Sequence, residues 1–451
     1  MRFSPAFSRS SLVLACAITS ACGGGGGREA TNAQASTEEA AATRGVVDIV
    51  RPSHAPASAP APTPVAQGAA QPRTAAFTHG PLDAAQQELA ARFNVVVLGM
   101  YPSMGVPRMQ SMIDRLRAIN PGIKLAQYVA LNELAGSAQA NEDGYPLVQA
   151  VGTNDWWVRD TAGKRVQWTD EYNNYEVNLT DWAPADATGR RWPQWKAEFD
   201  SRAYFSVLNG LDYVFNDNVF VQPRNKADWM RNGTDQAPDN PVVAAGLRKG
   251  FVNYWNALRA RHPGIKIIGN ADSDLGTPEY KGQLEGAVLE CMMGKTWSLE
   301  TWGGWDTMMT RYRKALANTR APNDVIFHAC SQGAVNPALV RYGLASALME
   351  NGYFSHTADI ETAPYWADEF AAQIGTAAEA PPTAPTASGI WMRRYTQGVA
   401  LVNPSTNRTL SIDIGDGYKH IAGKQDPTIN NGQPQRVVSL PPRSGLLMVR
   451  Q

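Results

Sequence analysis

The sequence predicts a (β/α)8 TIM barrel followed by a small C-terminal antiparallel β-sandwich, and three observations carry that reading. From residue 94 onward, short apolar runs bounded by turn residues alternate with stretches whose apolar residues recur at helical spacing. The joint Asn120-Pro121-Gly122-Ile123-Lys124 returns as His262-Pro263-Gly264-Ile265-Lys266, so one helix-to-strand connection is used twice. After a Pro/Ala/Thr-rich stretch at 377–387, the pattern changes to short strands separated by Asn403-Pro404, Asp416-Gly417 and Asn431-Gly432.

The elements follow in order. Residues 94–100 (NVVVLGM) form the first strand, since buried parallel strands read as continuous apolar runs. Residues 107–120 then set Met109, Met112, Ile113, Leu116 and Ile119 on one helical face, and Pro121-Gly122 stops the helix. The second strand is 124–129 (KLAQYV); a polar, aromatic stretch over 141–169 separates it from a third at 175–179 (YEVNL). A helix over 192–208 packs through Trp195, Phe199, Tyr204 and Phe205, and the fourth strand is 211–215. Helix 241–261 leads to the fifth strand, 265–269 (IKIIG), and 286–292 (GAVLECM) is the sixth. Helix 305–319, strand 324–329 (DVIFHA), helix 337–350 and strand 353–356 complete eight strand-and-helix units over 75–376. Strands at 389–395, 398–402, 409–414, 436–440 and 445–449 build the closing β domain, 388–451.

The N-terminal region reads as an address. Residues 1–21 have the parts of a secretory signal: Arg2 and Arg9, an apolar run at 12–18, then small residues. Thr19-Ser20-Ala21-Cys22 resembles a bacterial lipoprotein cleavage box, with Thr19 in place of the usual Leu, and glycines 23–27 resemble a lipoprotein tether. That resemblance implies lipidation at Cys22 and, with Gly23 next, an outer-membrane lipoprotein anchored in the cell envelope; plain secretion with a free cysteine is the alternative. Residues 28–74 are too poor in large apolar residues to offset their ordering entropy, so 22–74 is expected to be a disordered linker.

Lys and Arg total 41, as do Asp and Glu, and this even balance argues against nucleic acid, which would need a basic face. The six His show no ligand spacing and CxxC and HExxH are absent, so neither cofactor nor metal is expected, with a Ca2+ on Asp-rich loops left open. Cys291 and Cys330 stand near strand ends, where a disulfide and two free thiols both fit. Of the 13 Trp, many fall in loop-like segments: Trp156, Trp157, Trp168, Trp182, Trp192, Trp195, Trp297, Trp302 and Trp305. Flat indoles on loops suit the C–H faces of sugars, and core packing is the competing explanation for each. A monomer is expected.

The chemistry is expected at the carboxyl ends of the strands. Leu211-Asp212-Tyr213-Val214-Phe215 ends abruptly in Asn216-Asp217-Asn218, and a carboxylate there is hard to explain by packing. Asp272 and Asn270 follow strand five, Glu290 ends strand six, His328 strand seven, and Asp359 follows strand eight. Glycoside cleavage needs two carboxyl groups across the bond. The apolar run around Glu290 suits a general acid, and the amides flanking Asp217 suit a nucleophile or base, with Asp272 the competitor. Tyr128, Asn218, Asn270, His328, Trp297, Trp302 and Asp359 are the substrate-binding candidates. Each carboxylate has a structural alternative as a cap of the next loop, and Arg224 could steady a carboxylate or sit solvated.

Several segments together resemble hypothetical glycosyl hydrolase family 15: 120–124 into Gln127-Tyr128-Val129, 210–219, Ile268-Gly269-Asn270, Leu289-Glu290, 341–354, and in the tail 401–405 and 426–432. The resemblance covers about 91–451 and implies a barrel and a carbohydrate substrate. Two functions follow. One is a lipid-anchored glycoside hydrolase; the other is a non-catalytic carbohydrate-binding or polysaccharide-export accessory lipoprotein. A peptidase or esterase finds no GxSxG and no local cysteine signature.

Overall fold

The computed structural model describes residues 71–169, 172–271, 275–358 and 364–451; residues 1–70 with Cys22, and Asp272 and Asp359, lie outside them. In chain order the first half runs β1 (Ala75–His79), α1 (Ala84–Ala90), β2 (Val95–Gly99), α2 (Val106–Ile119), β3 (Lys124–Val129), β4 (Glu133–Ala135), α3 (Tyr145–Thr153), β5 (Gln167–Thr169), β6 (Tyr172–Glu176), α4 (Trp192–Asp200), β7 (Tyr213–Asn216) and α5 (Pro241–Arg261). The second half continues β8 (Lys266–Asn270), β9 (Gly286–Met293), α6 (Leu299–Asn318), β10 (Asp324–Cys330), α7 (Pro337–Ala347), β11 (Tyr353–Thr357), β12 (Trp391–Tyr395), β13 (Gly398–Asn403), β14 (Leu410–Asp413), β15 (Tyr418–His420), β16 (Val437–Leu440) and β17 (Ser444–Arg450).

Strands β1, β2, β3, β7, β8, β9, β10 and β11 lie side by side in that order, every pair parallel. Thr74 bridges Phe354 in parallel, and Phe354 N–H donates to Arg73 O at 2.9 Å, which closes the sheet into a (β/α)8 barrel. Alternation along the strands fills the interior with Val95, Val97, Ala126, Tyr128, Tyr213, Phe215, Ile268, Val288, Ile326 and Tyr353. The neighbours of these residues in sequence, among them Val96, Leu98, Leu125, Val214 and Ile267, turn outward under the helices.

Two strands differ from the sequence expectation. Residues 175–179 do not enter the barrel; β6 is the centre of a three-stranded antiparallel sheet, β4-β6-β5, on the long β3-to-β7 connection. The missing barrel strand is β1, whose Ala-Ala-Phe-Thr-His carries little apolar signal and is recognisable only by what it closes. The expectation of a helix after every strand also fails at β8, where the described residues before β9 run in turns. Helix α6 begins at Leu299, and Gly304, at φ 78, breaks its first turn from the rest.

At the amino-terminal end of the barrel the first residues of four strands meet. Asp324, fully buried, takes Lys124 Nζ at 2.7 Å and the Tyr213 hydroxyl, and Lys124 also donates to Tyr353 Oη at 3.1 Å. This acid is paired with a cation and plugs the closed end.

The C-terminal strands make two antiparallel sheets, β12-β13-β17-β15 and β14-β16, around Val399, Leu401, Ile414, Tyr418, Val438, Leu440 and Met448. The other face of the larger sheet lies on the barrel. Arg393, buried, donates to Leu348 O at 3.1 Å, Glu350 O at 2.6 Å and Asn351 Oδ1 at 2.7 Å, and Arg443 Nε donates to Glu300 at 2.9 Å. At Gly445, β17 runs so close to α7 that an added Cβ would sit 2.7 Å from both Arg341 O and Ala345 Cβ. Gly445→Ala is therefore expected to cost about 1–3 kcal/mol in urea unfolding, the usual range for overpacking; an unchanged midpoint would show that this contact yields freely.

Candidate active site

The carboxyl end of β7 is where a short strand runs into polar residues. Asp217 N–H donates to Val129 O at 2.9 Å and Val219 N–H to Asn270 O at 2.9 Å, so ladder bonds to β3 and β8 continue past the strand. Between them Asn218 takes a left-handed backbone, φ 53, a conformation Asn tolerates better than most residues. That turn points the Asp217 carboxylate at three donors: Tyr128 Oη at 2.5 Å, Asn270 Nδ2 at 2.8 Å and Asn218 N–H at 2.9 Å. Asp217 is 2% exposed.

Asn270 ends β8, and its register partner on β9 is Val288, two residues before Glu290. The same Asn270 Nδ2 donates to Glu290 Oε2 at 2.7 Å. The accepting oxygens of Asp217 and Glu290 therefore lie no farther apart than the two bonds, 2.8 and 2.7 Å, laid end to end, 5.5 Å. Glu290 is partly exposed, while Asp217 is not.

Two further acids stand beside this pair. Glu133 opens β4 just after β3, and Glu176 is its cross-strand partner on β6. Glu133 accepts from Asn218 Nδ2 at 2.9 Å and Asn174 Nδ2 at 3.0 Å; Glu176 accepts from Asn225 Nδ2 at 2.9 Å. A single bonded row results, Glu133–Asn218–Asp217–Asn270–Glu290, carboxyl alternating with amide, with Glu176 behind it. Sequence reading missed Glu133, Glu176, Asn174 and Asn225. Asn132-Glu133 directly after an apolar strand was the available signal, and assigning 175–179 to the barrel hid Glu176.

Burial without a full counter-charge sets the electrostatics. Desolvation raises the Asp217 carboxyl above its ordinary value, while its donors Tyr128, Asn270 and Asn218 pull it back. Desolvation, with the Asp217 charge beside it, pushes Glu133 up to about 7 against Asn174, Asn218 and Arg224. Glu176, fully buried, is pushed up to about 8 by desolvation and by Glu133, against Asn225 and Arg224. The Arg224 guanidinium lies 4.5 Å over the Trp168 ring.

The other candidates fall as follows. His328 is buried, Nε2 3.1 Å from Thr357 Oγ1 and Nδ1 3.7 Å from Cys330 Sγ, and desolvation lowers it to about 3. Cys291 and Cys330 form a disulfide. Among the described residues, the grouping of His, Cys and carboxylate atoms near enough to share a metal ion is Cys291, His328 and Cys330, whose sulfurs are bonded to each other. The tryptophans divide. Trp156, Trp157, Trp168, Trp192 and Trp305 are buried and serve the core, with Trp192 and Trp195 stacked at 5.6 Å. Trp302 is 70% exposed on the first turn of α6, the segment following Glu290's strand, and its indole N–H donates to Trp297 O at 3.2 Å.

The model of hypothetical glycosyl hydrolase family 15 matches residues 117–399. No curated protein matches the sequence. Among solved structures, the glycoside hydrolase domain of PelA from Pseudomonas aeruginosa is similar at 16% identity over 64% of this chain and 95% of its own, with a TM-score of 0.39. Amy13B of Eubacterium rectale is similar at 9% identity over 85% and 96%, TM-score 0.48, and an alpha-amylase from Lactobacillus plantarum at 9% over 83% and 98%, TM-score 0.46.

The raised acids make stability depend on pH. Folded Glu176 and Glu133 keep their protons up to about 8 and about 7, whereas the unfolded groups lose theirs near 4.5. The folded chain binds more protons in that window, so stability falls as pH rises through it, by up to about 1.4 kcal/mol per pH for each group. Urea midpoints from pH 5 to 9 should decline for the wild type and decline less for Glu176→Gln; a wild-type midpoint rising over that range would contradict the assignment.

Proposed function

The chain belongs to hypothetical glycosyl hydrolase family 15, and from that membership and the barrel-mouth geometry we propose that it hydrolyses O-glycosidic bonds of a polysaccharide or oligosaccharide. The observation that carries this reading is the single Asn270 amide donating to both Asp217 and Glu290. Carboxyl groups about 5–5.5 Å apart suit a retaining double displacement, whereas the inverting geometry leaves several ångströms more for a water.

The two acids differ in the way that mechanism needs. Asp217 is the nucleophile: three donors hold its oxygens and favour its ionised form. Its oxygen bonds to the anomeric carbon as the bond from that carbon to the leaving oxygen breaks, and Glu290 gives its proton to that oxygen. Glu290, now ionised, takes a proton from water, whose oxygen attacks the same carbon and releases Asp217. Tyr128 and Asn270 steady the nucleophile, and Trp302 offers a flat face at the rim for a sugar of a longer substrate.

Asp217→Asn and Glu290→Gln should each lower kcat/KM on a responsive glycan by at least about 10^3 with unchanged circular dichroism, the scale of lost general-acid or nucleophilic catalysis. In the same assay Trp302→Ala should raise KM with little change in kcat. Retention of more than about a tenth of the activity by both carboxylate variants would reject this pair. Tight glycan binding by the wild type with no product formed would favour a carbohydrate-binding lipoprotein instead.

A further inference from the structure

Glu290 sits in an irregular piece of strand. β9 and β10 run in register up to Leu289 against Phe327, and register resumes with Met293 against Ala329. Glu290, Cys291 and Met292 thus stand opposite the single residue His328, a β-bulge at the strand end. Cys291 carries the distortion at φ 43, a left-handed backbone unfavourable for a residue with a Cβ. A bulge in that conformation persists when its surroundings hold it, and here they do so from several sides.

The Cys291–Cys330 disulfide ties the bulge across to the last residue of β10, with the two Cα atoms 5.0 Å apart. Cys291 N–H faces His328 Nδ1 at 3.4 Å, and His328 Nε2 faces Thr357 Oγ1 at 3.1 Å, so the imidazole spans from the bulge to β11. Ser298 Oγ–H donates to Cys291 O at 2.6 Å from the segment leading into α6. Gly294 passes so close above Cys330 O that an added Cβ would lie 2.0 Å from it. Both sulfurs and the imidazole are buried.

We propose that the Cys291–Cys330 disulfide, backed by His328, is a positioning device for the Glu290 carboxyl. It fixes the bulge that holds Glu290 Oε2 on Asn270 and beside Asp217. A dithiol that donates two electrons and two protons converts the cystine to two thiols, itself becoming a cyclic disulfide. Cys291 is then free to leave the left-handed region, and the carboxyl moves out of reach of the leaving oxygen. The proposal rests on the assignment of Glu290 as the acid.

The test is leaving-group dependence, which general destabilisation does not move. A methyl glycoside needs a proton on its leaving oxygen; a 2,4-dinitrophenyl glycoside of the same sugar leaves without one. The Cys291→Ser/Cys330→Ser variant should lose at least about 10-fold in kcat/KM, which reports the first step alone, on the methyl glycoside and under about 3-fold on the dinitrophenyl glycoside, a fraction of what general-acid catalysis contributes. Glu290→Gln measured alongside separates the two claims. If Glu290→Gln lacks this split, the acid assignment fails; if Glu290→Gln has it and the double variant loses both substrates equally or neither, the positioning proposal is overturned. Should the variant not fold, wild-type protein reduced with dithiothreitol, its two thiols counted by mass after alkylation, takes its place. Reduced, folded protein with undiminished methyl-glycoside turnover would overturn the proposal, and recovery of that activity on reoxidation would support it.

Discussion

A carboxyl group withdrawn from water must find donors, and at the open end of this barrel those donors are mainly amides. Asn270 is the pivotal one. Its single side-chain nitrogen serves both Asp217 and Glu290, and without it two acids would face each other across a few ångströms. The opposite end of the barrel handles the same problem differently: Asp324 is paired with Lys124. A cation brings a full counter-charge to a buried acid, whereas an amide donates a hydrogen bond without one. That difference separates the plug of the fold from the candidate site.

The strands hold that row of side chains in register. Asp217 directly follows β7, and Asn270 and Glu290 lie on β8 and β9, so the ladder bonds of these neighbouring strands set their relative heights. Tyr128 arrives from β3 on the other side, its ring packed 5.6 Å from Phe215. Glu133 enters on the long β3-to-β7 connection, anchored through Asn218 to the turn that aims Asp217. Farther out, Arg443, directly before β17, reaches Glu300 on the first turn of α6, tying the C-terminal sheets to the helix that follows Glu290's strand.

Much of this was legible in the sequence, for physical reasons. Buried parallel strands are apolar on both faces, and so 94–100, 124–129 and 324–329 announced themselves. The polar ending of 211–219 stood out because burying Asp217 is costly. What escaped was whatever tertiary context alone defines. β1 has too few apolar residues to be seen and is a strand because it closes a barrel. Tyr172–Glu176 reads as a strand equally well in a barrel or a small antiparallel sheet, so Glu133 and Glu176 could not be placed opposite each other. Loop-like composition left each tryptophan open to a sugar-facing or a core role; Trp156, Trp168 and Trp192 are buried, and Trp302 is 70% exposed.

A covalent glycosyl intermediate on Asp217 requires the two carboxyl groups to lie this close. Proton NMR of the first-formed reducing sugar, recorded before mutarotation, tests that most directly. The expected product is the anomer of the substrate bond; the opposite anomer would mean a water between the acids, and would contradict Asp217 and Glu290 as the reacting pair.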